Sequence, residues 1–156
     1  MPIPIIYLSH PYGGNWRNAE LAGDWCGALN ILYSGRAMFV APWVDIARTY
    51  ASLGNDAVLY GICVHHVDSC DAMLAITYDA DELSPGQTVE MRATGIGVQL
   101  YVPGYARFAA TETADDRRRL LLSCADLLAP CIESLLEILD LDEPKDDYEG
   151  EPSQPN

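Results

Sequence analysis

SCDAMLAITYDADELSPGQTVEMRATGIGVQLYV, residues 69–102, decides the fold. Its first apolar run, AMLAITY at 72–78, is a short uninterrupted hydrophobic stretch of the kind that forms a strand buried on both faces. A helix start follows. Ser84 suits an N-cap, Pro85 suits the first helical position, and Gln87, three residues after the serine, completes a capping box. The helix is expected over about 84–95, and VQLYV at 98–102 supplies the next strand. Strand, helix, strand at this spacing predicts two parallel strands joined by a crossover helix.

The same alternation runs upstream. IPIIYL at 3–8 reads as a buried strand, followed by the turn-rich SHPYGGN. After Asn15, Ala22, Trp25, Cys26, Leu29, Leu32 and Tyr33 recur at steps of three and four until Gly35, the pattern of an amphipathic helix. AMFVAPWV at 37–44 reads as a second strand stopped near Pro42. Leu59, Ile62, Cys63, His66, Val67 and Cys70 predict another helix, with Asn55 or Asp56 as its cap. The whole is an α/β, Rossmann-like (flavodoxin-like) pattern: a parallel sheet with helices on both faces. The loops after Leu8, Trp43 and Tyr78 then fall at the carboxyl edge, where such sheets bind ligands. Neither GxGxxG after the first strand nor GxxxxGK[ST] is present, so the usual dinucleotide and nucleoside-triphosphate fingerprints are missing.

Downstream, TADDRRRLLLSCADLLAPCIESLLEIL at 113–139 carries Leu121, Ala125, Leu128, Ile132, Leu135 and Leu139 at heptad-like steps, and Pro130 is expected to kink or restart the helix. Leu120, Leu122, Leu127 and Leu136 widen the apolar surface beyond one stripe, which points to a homo-oligomer contact. From 140 to 156, seven acidic residues against one lysine, with three prolines, read as a disordered acidic tail. The expected organisation is a single domain over 1–139, with its core in 3–102 and a helical segment at 113–139.

With 156 residues, 49% of them hydrophobic, the chain is long enough for one real core. A formal net charge of −14 argues against nucleic acid or an anionic membrane as partner. No apolar stretch approaches the roughly 20 residues of a spanning helix, and MPIPIIYLSH lacks the basic start of a signal peptide, so a cytoplasmic location is expected. Cys26, Cys63, Cys70, Cys124 and Cys131 form no CxxC pair and read as reduced packing residues. The cluster HHVDSCD, 65–71, offers His65, His66, Asp68 and Cys70, but adjacent histidines on a helix point about 100° apart. No metal and no cofactor is expected.

Glu90 stands out. It lies in the second turn of the 84–95 helix, too far in for capping yet within reach of the positive helix end, a setting that favours an ionised carboxylate. Tyr7 at the end of the first strand, Asp71 before the third and Glu90 in SPGQTVE together resemble the nucleoside 2-deoxyribosyltransferase-like superfamily, over about residues 3–102. That superfamily includes deoxyribosyltransferases, nucleoside 5′-monophosphate N-glycosidases and related small domains. The S-P-G-x-x-x-E-x-x-A spacing carries most of the likeness.

The resemblance implies that Glu90 attacks the anomeric carbon of a nucleoside or nucleotide and forms a glycosyl-enzyme ester. Asp71 would assist the departing base, Tyr7 would orient Glu90 or line the sugar site, and Asp68 would border the site. Serine at 84 matches the nucleotide N-glycosidases, whereas the transferases carry an aspartate there. Ser84 with the amides of Gly86 and Gln87 would form an anion pocket at a helix N-terminus, and Ser9, Gly13, Gly14 and Arg17 of the first loop would add donors and one charge. The expected function is N-glycosidic cleavage of a nucleoside 5′-monophosphate. The alternatives are deoxyribosyl transfer and a non-catalytic nucleotide-binding sensor.

Overall fold

The computed structural model describes residues 2–50, 56–78 and 82–142. Among these, four strands form one sheet: β1 (Ile5–Ser9), β2 (Met38–Val40), β3 (Ala72–Thr77) and β4 (Gly97–Tyr101). Every pairing is parallel, and the order is β2-β1-β3-β4. The helices are α1 (Trp16–Leu32), α2 (Trp43–Tyr50), α3 (Asp56–Asp68), α4 (Pro85–Ala93), α5 (Tyr105–Ala109), α6 (Ala114–Ser123) and α7 (Ala125–Asp142). This is the α/β, Rossmann-like fold expected from the alternating pattern.

The strand order reverses at β1, because the chain goes from β1 outward to β2 and then returns past β1 to β3. Right-handed connections therefore put α1 on one face and α3 and α4 on the other. The packing agrees: α1 lies against α6, and α3 lies against α4. The carboxyl ends of β1 and β3 are the topological switch point, where sheets of this kind bind ligands. All six residues of β3 are buried, which explains its unbroken apolar sequence.

Two prolines stop the sheet at this edge. Met38 N–H donates to Pro4 C=O, so the β1-facing donors of the second segment fall at every other residue, 40 and then 42. Residue 42 is Pro42, which has no N–H, and the Trp43 indole donates to Leu8 C=O instead at 3.0 Å. Between β1 and β3, Met73 N–H and Thr77 C=O face β4, so Ile76 C=O faces β1. The partner in register would be Pro11, again without an N–H.

Several boundaries differ from expectation. Trp43 and Val44 begin α2 rather than ending a strand, because Pro42 ends the ladder and sits just ahead of a helix start. The break in the C-terminal helices falls at Cys124, whose N–H bonds to Leu121 and Leu122 C=O, while Pro130 lies inside α7. A proline ring conflicts with the carbonyl four residues before it, here Asp126, so its disturbance is felt upstream, next to the break. Most of the surplus apolar surface of this segment packs within the chain: Leu136 is buried and Leu120 and Leu122 are partly buried, while Leu127 stays exposed. Residues 140–142 continue α7, and the remainder of the expected acidic tail lies outside the described residues, as does Asn55. Asp56 opens α3. No helix among the described residues is long and apolar enough to cross a membrane.

Candidate active site

β1 presents its side chains alternately to the two faces, and this splits the switch point into two assemblies. Tyr7 and Ser9 point toward α3 and α4. Leu8 and His10 belong to the α1 side.

On the first side, Glu90 comes from the second turn of α4. Ser84 accepts from Gln87 N–H, and the Gln87 side chain accepts from Ser84 N–H, so both halves of the capping box are formed. The helix start is thereby fixed, and Glu90 is aimed at β1. Ser9 Oγ donates to Glu90 Oε1 at 3.1 Å. Glu90 Oε2 and the Tyr7 hydroxyl are both buried without a completed hydrogen bond, although each is near enough to shift the other's ionisation. Burial pushes the Glu90 carboxyl up to about 7, and the Tyr7 and Ser9 hydroxyls only partly offset this. The expectation of a setting that favours an ionised carboxylate is thus corrected: desolvation raises the carboxyl above its ordinary value. Burial, the Glu90 charge and the neighbouring Cys63 thiol raise the Tyr7 phenol far above its ordinary range, so it stays protonated.

Buried carboxylates with an unused oxygen are costly, and their persistence at a switch point marks a candidate reactive group. Glu90 offers Oε2 as a nucleophile or as a proton acceptor. The Tyr7 hydroxyl is a donor available to whichever oxygen a ligand leaves free.

On the other side lies a network that sequence reasoning missed. Trp25 Nε1–H donates to the Tyr78 hydroxyl at 2.8 Å, and the Tyr78 hydroxyl meets His10 Nε2 at 2.6 Å. His10 Nδ1 sits 2.7 Å from Pro11 C=O, which fixes a neutral tautomer with the proton on Nδ1 and Tyr78 donating to Nε2. Burial lowers the His10 pKa to about 4. Tyr78 also packs against Tyr105 and Phe108 of α5, an element absent from the expected pattern. The available signal was positional: His10 and Tyr78 directly follow two neighbouring parallel strands.

The other expected site residues divide sharply. Asp71 does not join Glu90. It precedes β3, at the amino edge, where its carboxylate accepts from Ile5 N–H at 2.7 Å and its own N–H donates to Ile5 C=O. Four residues separate it from Ala75, the register partner of Ser9, or roughly 13 Å at strand rise. Asp68 ends α3 at the same far edge and is exposed. Arg17 turns away onto the α5–α6 connection, donating to Ala109 and Thr111 C=O. The Ser84 hydroxyl already accepts Gln87 N–H, and the Gln87 side chain is buried in the fold. Gly86 lies in the first turn of α4. Gly13 and Gly14 form the loop after β1 with φ of +57° and +72°, and a side chain at either would meet nothing within 4 Å. They are there for backbone conformation, leading into Asn15, which caps α1. His65 and His66 lie edge to face on α3, and no group of three or more potential metal ligands gathers among the described residues.

Comparison with protein-family models, with curated proteins and with solved structures returned no match to this chain.

Proposed function

We propose that this protein cleaves the N-glycosidic bond of a nucleoside 5′-monophosphate, with Glu90 as the nucleophile. The observation that carries the reading is the buried Glu90 carboxyl at the switch point, held through Oε1 by Ser9 with Oε2 left unbonded. Glu90 Oε2 would form a bond to the anomeric carbon as the bond from that carbon to the base nitrogen breaks. The base leaves with the electron pair and takes a proton from water. A second water then hydrolyses the glycosyl ester and restores the carboxyl, the double displacement of retaining glycosidases. Tyr7, kept protonated, would donate to the carboxyl and steady it. The unpaired cysteines support a cytoplasmic site of action.

One observation favours a second reading. Arg17 is engaged by two backbone carbonyls, which leaves the first loop without the positive charge expected to meet a phosphate. Deoxyribosyl transfer between bases, with an uncharged nucleoside as donor, uses the same Glu90 ester and needs no such charge. Chromatographic assay of base release from matched nucleosides and monophosphates tests both readings. Release from the monophosphate in water supports the first, and exchange only when a free base is added supports the second. Thermal stabilisation by these ligands without release or exchange would replace both with a non-catalytic sensor.

A further inference from the structure

We propose that Gln87 is the positioning residue for Glu90, clamping the first turn of α4 to the carboxyl ends of β1 and β3. The inference rests on the reading of Glu90 as the reactive group. Gln87 is 1% exposed, so its side chain serves the fold rather than a ligand. Its Oε1 accepts from Ser84 N–H at 3.0 Å, which a capping box requires. Its Nε2, which a capping box does not require, donates to Ile76 C=O at 2.7 Å and reaches Ser9 C=O at 3.4 Å.

The need for that donor is written in the strand ladder. Ile76 C=O faces β1, where the residue in register to serve it is Pro11. A proline cannot donate, and an unserved buried carbonyl costs roughly 1–3 kcal/mol. Gln87 supplies the missing N–H from α4. Glu90 follows Gln87 by three residues and so shares its face of the helix, toward the strands. The contact that heals the ladder therefore also sets the height of Glu90 against Ser9 and Tyr7. Facing Glu90 are Tyr7 and Ser9 from β1, with Cys63 of α3 beyond Tyr7.

The test reads the Glu90 carboxyl directly, by carbon-13 NMR titration of glutamate-labelled full-length protein, with the signal assigned through Glu90→Gln. Gln87→Met keeps the length of the side chain and removes the Nε2 donor to both carbonyls together with the Oε1 acceptor of Ser84 N–H. Thr88→Val removes a hydrogen bond of the same helical turn, from Thr88 Oγ1 to Ser84 C=O, and leaves the strands untouched. Expected is a fall in the Glu90 midpoint of at least one pH unit toward 4.5 in Gln87→Met, as the carboxyl reaches water, with no comparable change in Thr88→Val. Should Gln87→Met not fold, Gln87→Asn keeps the amide one methylene short of both carbonyls and is expected to give a smaller fall in the same direction. A midpoint that moves no more in the folded Gln87 variant than in Thr88→Val overturns the inference and leaves Glu90 as a possible nucleophile. Wild type without turnover on any nucleoside or monophosphate overturns the glycosidase reading instead, and the titration still reports on the clamp.

Discussion

The Asn30 side chain and the backbone of Phe39 make two reciprocal hydrogen bonds: Nδ2 donates to Phe39 C=O at 3.0 Å, and Oδ1 accepts Phe39 N–H at 2.8 Å. Phe39 is the middle residue of β2, an edge strand, and its neighbours turn their donors toward β1. Asn30 thus takes the place of a further strand and closes an edge that would otherwise invite pairing with another chain.

Removing that plug should be felt twice. Asn30→Leu leaves two backbone groups without partners beside exposed Ile3 and Met38, and should lower stability by roughly 2 kcal/mol. Urea unfolding measures the loss. Light scattering should show concentration-dependent association beyond any that wild type shows, and equal behaviour of the two proteins would mean that the edge needs no protection.

Glu90 and His10 should pull stability in opposite directions with pH. Glu90, held near 7 in the fold against an ordinary 4.5, binds more protons folded than unfolded, so its contribution is full below about 4.5 and is lost as pH rises through 7. His10, near 4 in the fold against 6.5, binds fewer, so its contribution is full above about 6.5 and is lost as pH falls through 4. Each amounts to roughly 3 kcal/mol. In Glu90→Gln the Glu90 slope is gone, and relative to wild type the variant should gain stability between pH 4.5 and 7.5. Denaturation curves that differ by the same amount at both pH values would contradict the buried setting of Glu90.

Tyr78→Phe strips the acceptor from Trp25 Nε1–H and the donor from His10 Nε2 in one step. Both partners are buried, so a loss of roughly 2–4 kcal/mol is expected, seen as a lower midpoint in denaturant followed by tryptophan fluorescence. A change below about 1 kcal/mol would mean that water enters and serves both groups.

Turnover gives the sharpest contrast. Glu90→Gln preserves shape and removes the nucleophile, so base release should fall by roughly a thousandfold or more while the near-ultraviolet spectrum stays native. Ser84→Asp keeps a competent cap and adds a negative charge. If a phosphate lies there, kcat/KM should fall for the monophosphate and stay level for the nucleoside. Equal losses would assign Ser84 to the helix start alone.

The oligomer proposed from the sequence now rests on little surface. Leu127 and Ile138 are 44% and 43% exposed and share one face of α7. Replacing both with glutamate should convert an oligomer into a monomer by light scattering. A wild-type monomer at micromolar concentration would refute the contact.

How much the sequence disclosed depended on how local the physics was. The Ser84 capping box is an interaction within three residues, and it is legible in the sequence; the Asn15 cap, equally local, is shown by the structure alone. AMFVAPWV reads as one strand stopped near Pro42, whereas its last two residues open α2, because an apolar run of that length also fits a helix start. Asp71 was placed with Glu90 by resemblance, although a residue that precedes a parallel strand lies at its amino edge by polarity alone. Arg17 follows the first loop in sequence, but it stands inside α1 and is carried toward α5, an element without a sequence signal. The ionisation of Glu90 was misjudged because the helix end is visible in sequence while the depth of burial is not.

The division of β1 into two sides has a consequence for how this molecule can change. Tyr7 and Ser9 serve the Glu90 side, whereas His10, next in the chain, helps lock α1 and α5 through Tyr78 and Trp25. If the Glu90 side binds a ligand as proposed, substitutions of Tyr7, Ser9 or Glu90 could alter that ligand while the opposite side keeps α1 and α5 in place. The strand behaves as a partition between a room that can be refurnished and a wall that cannot.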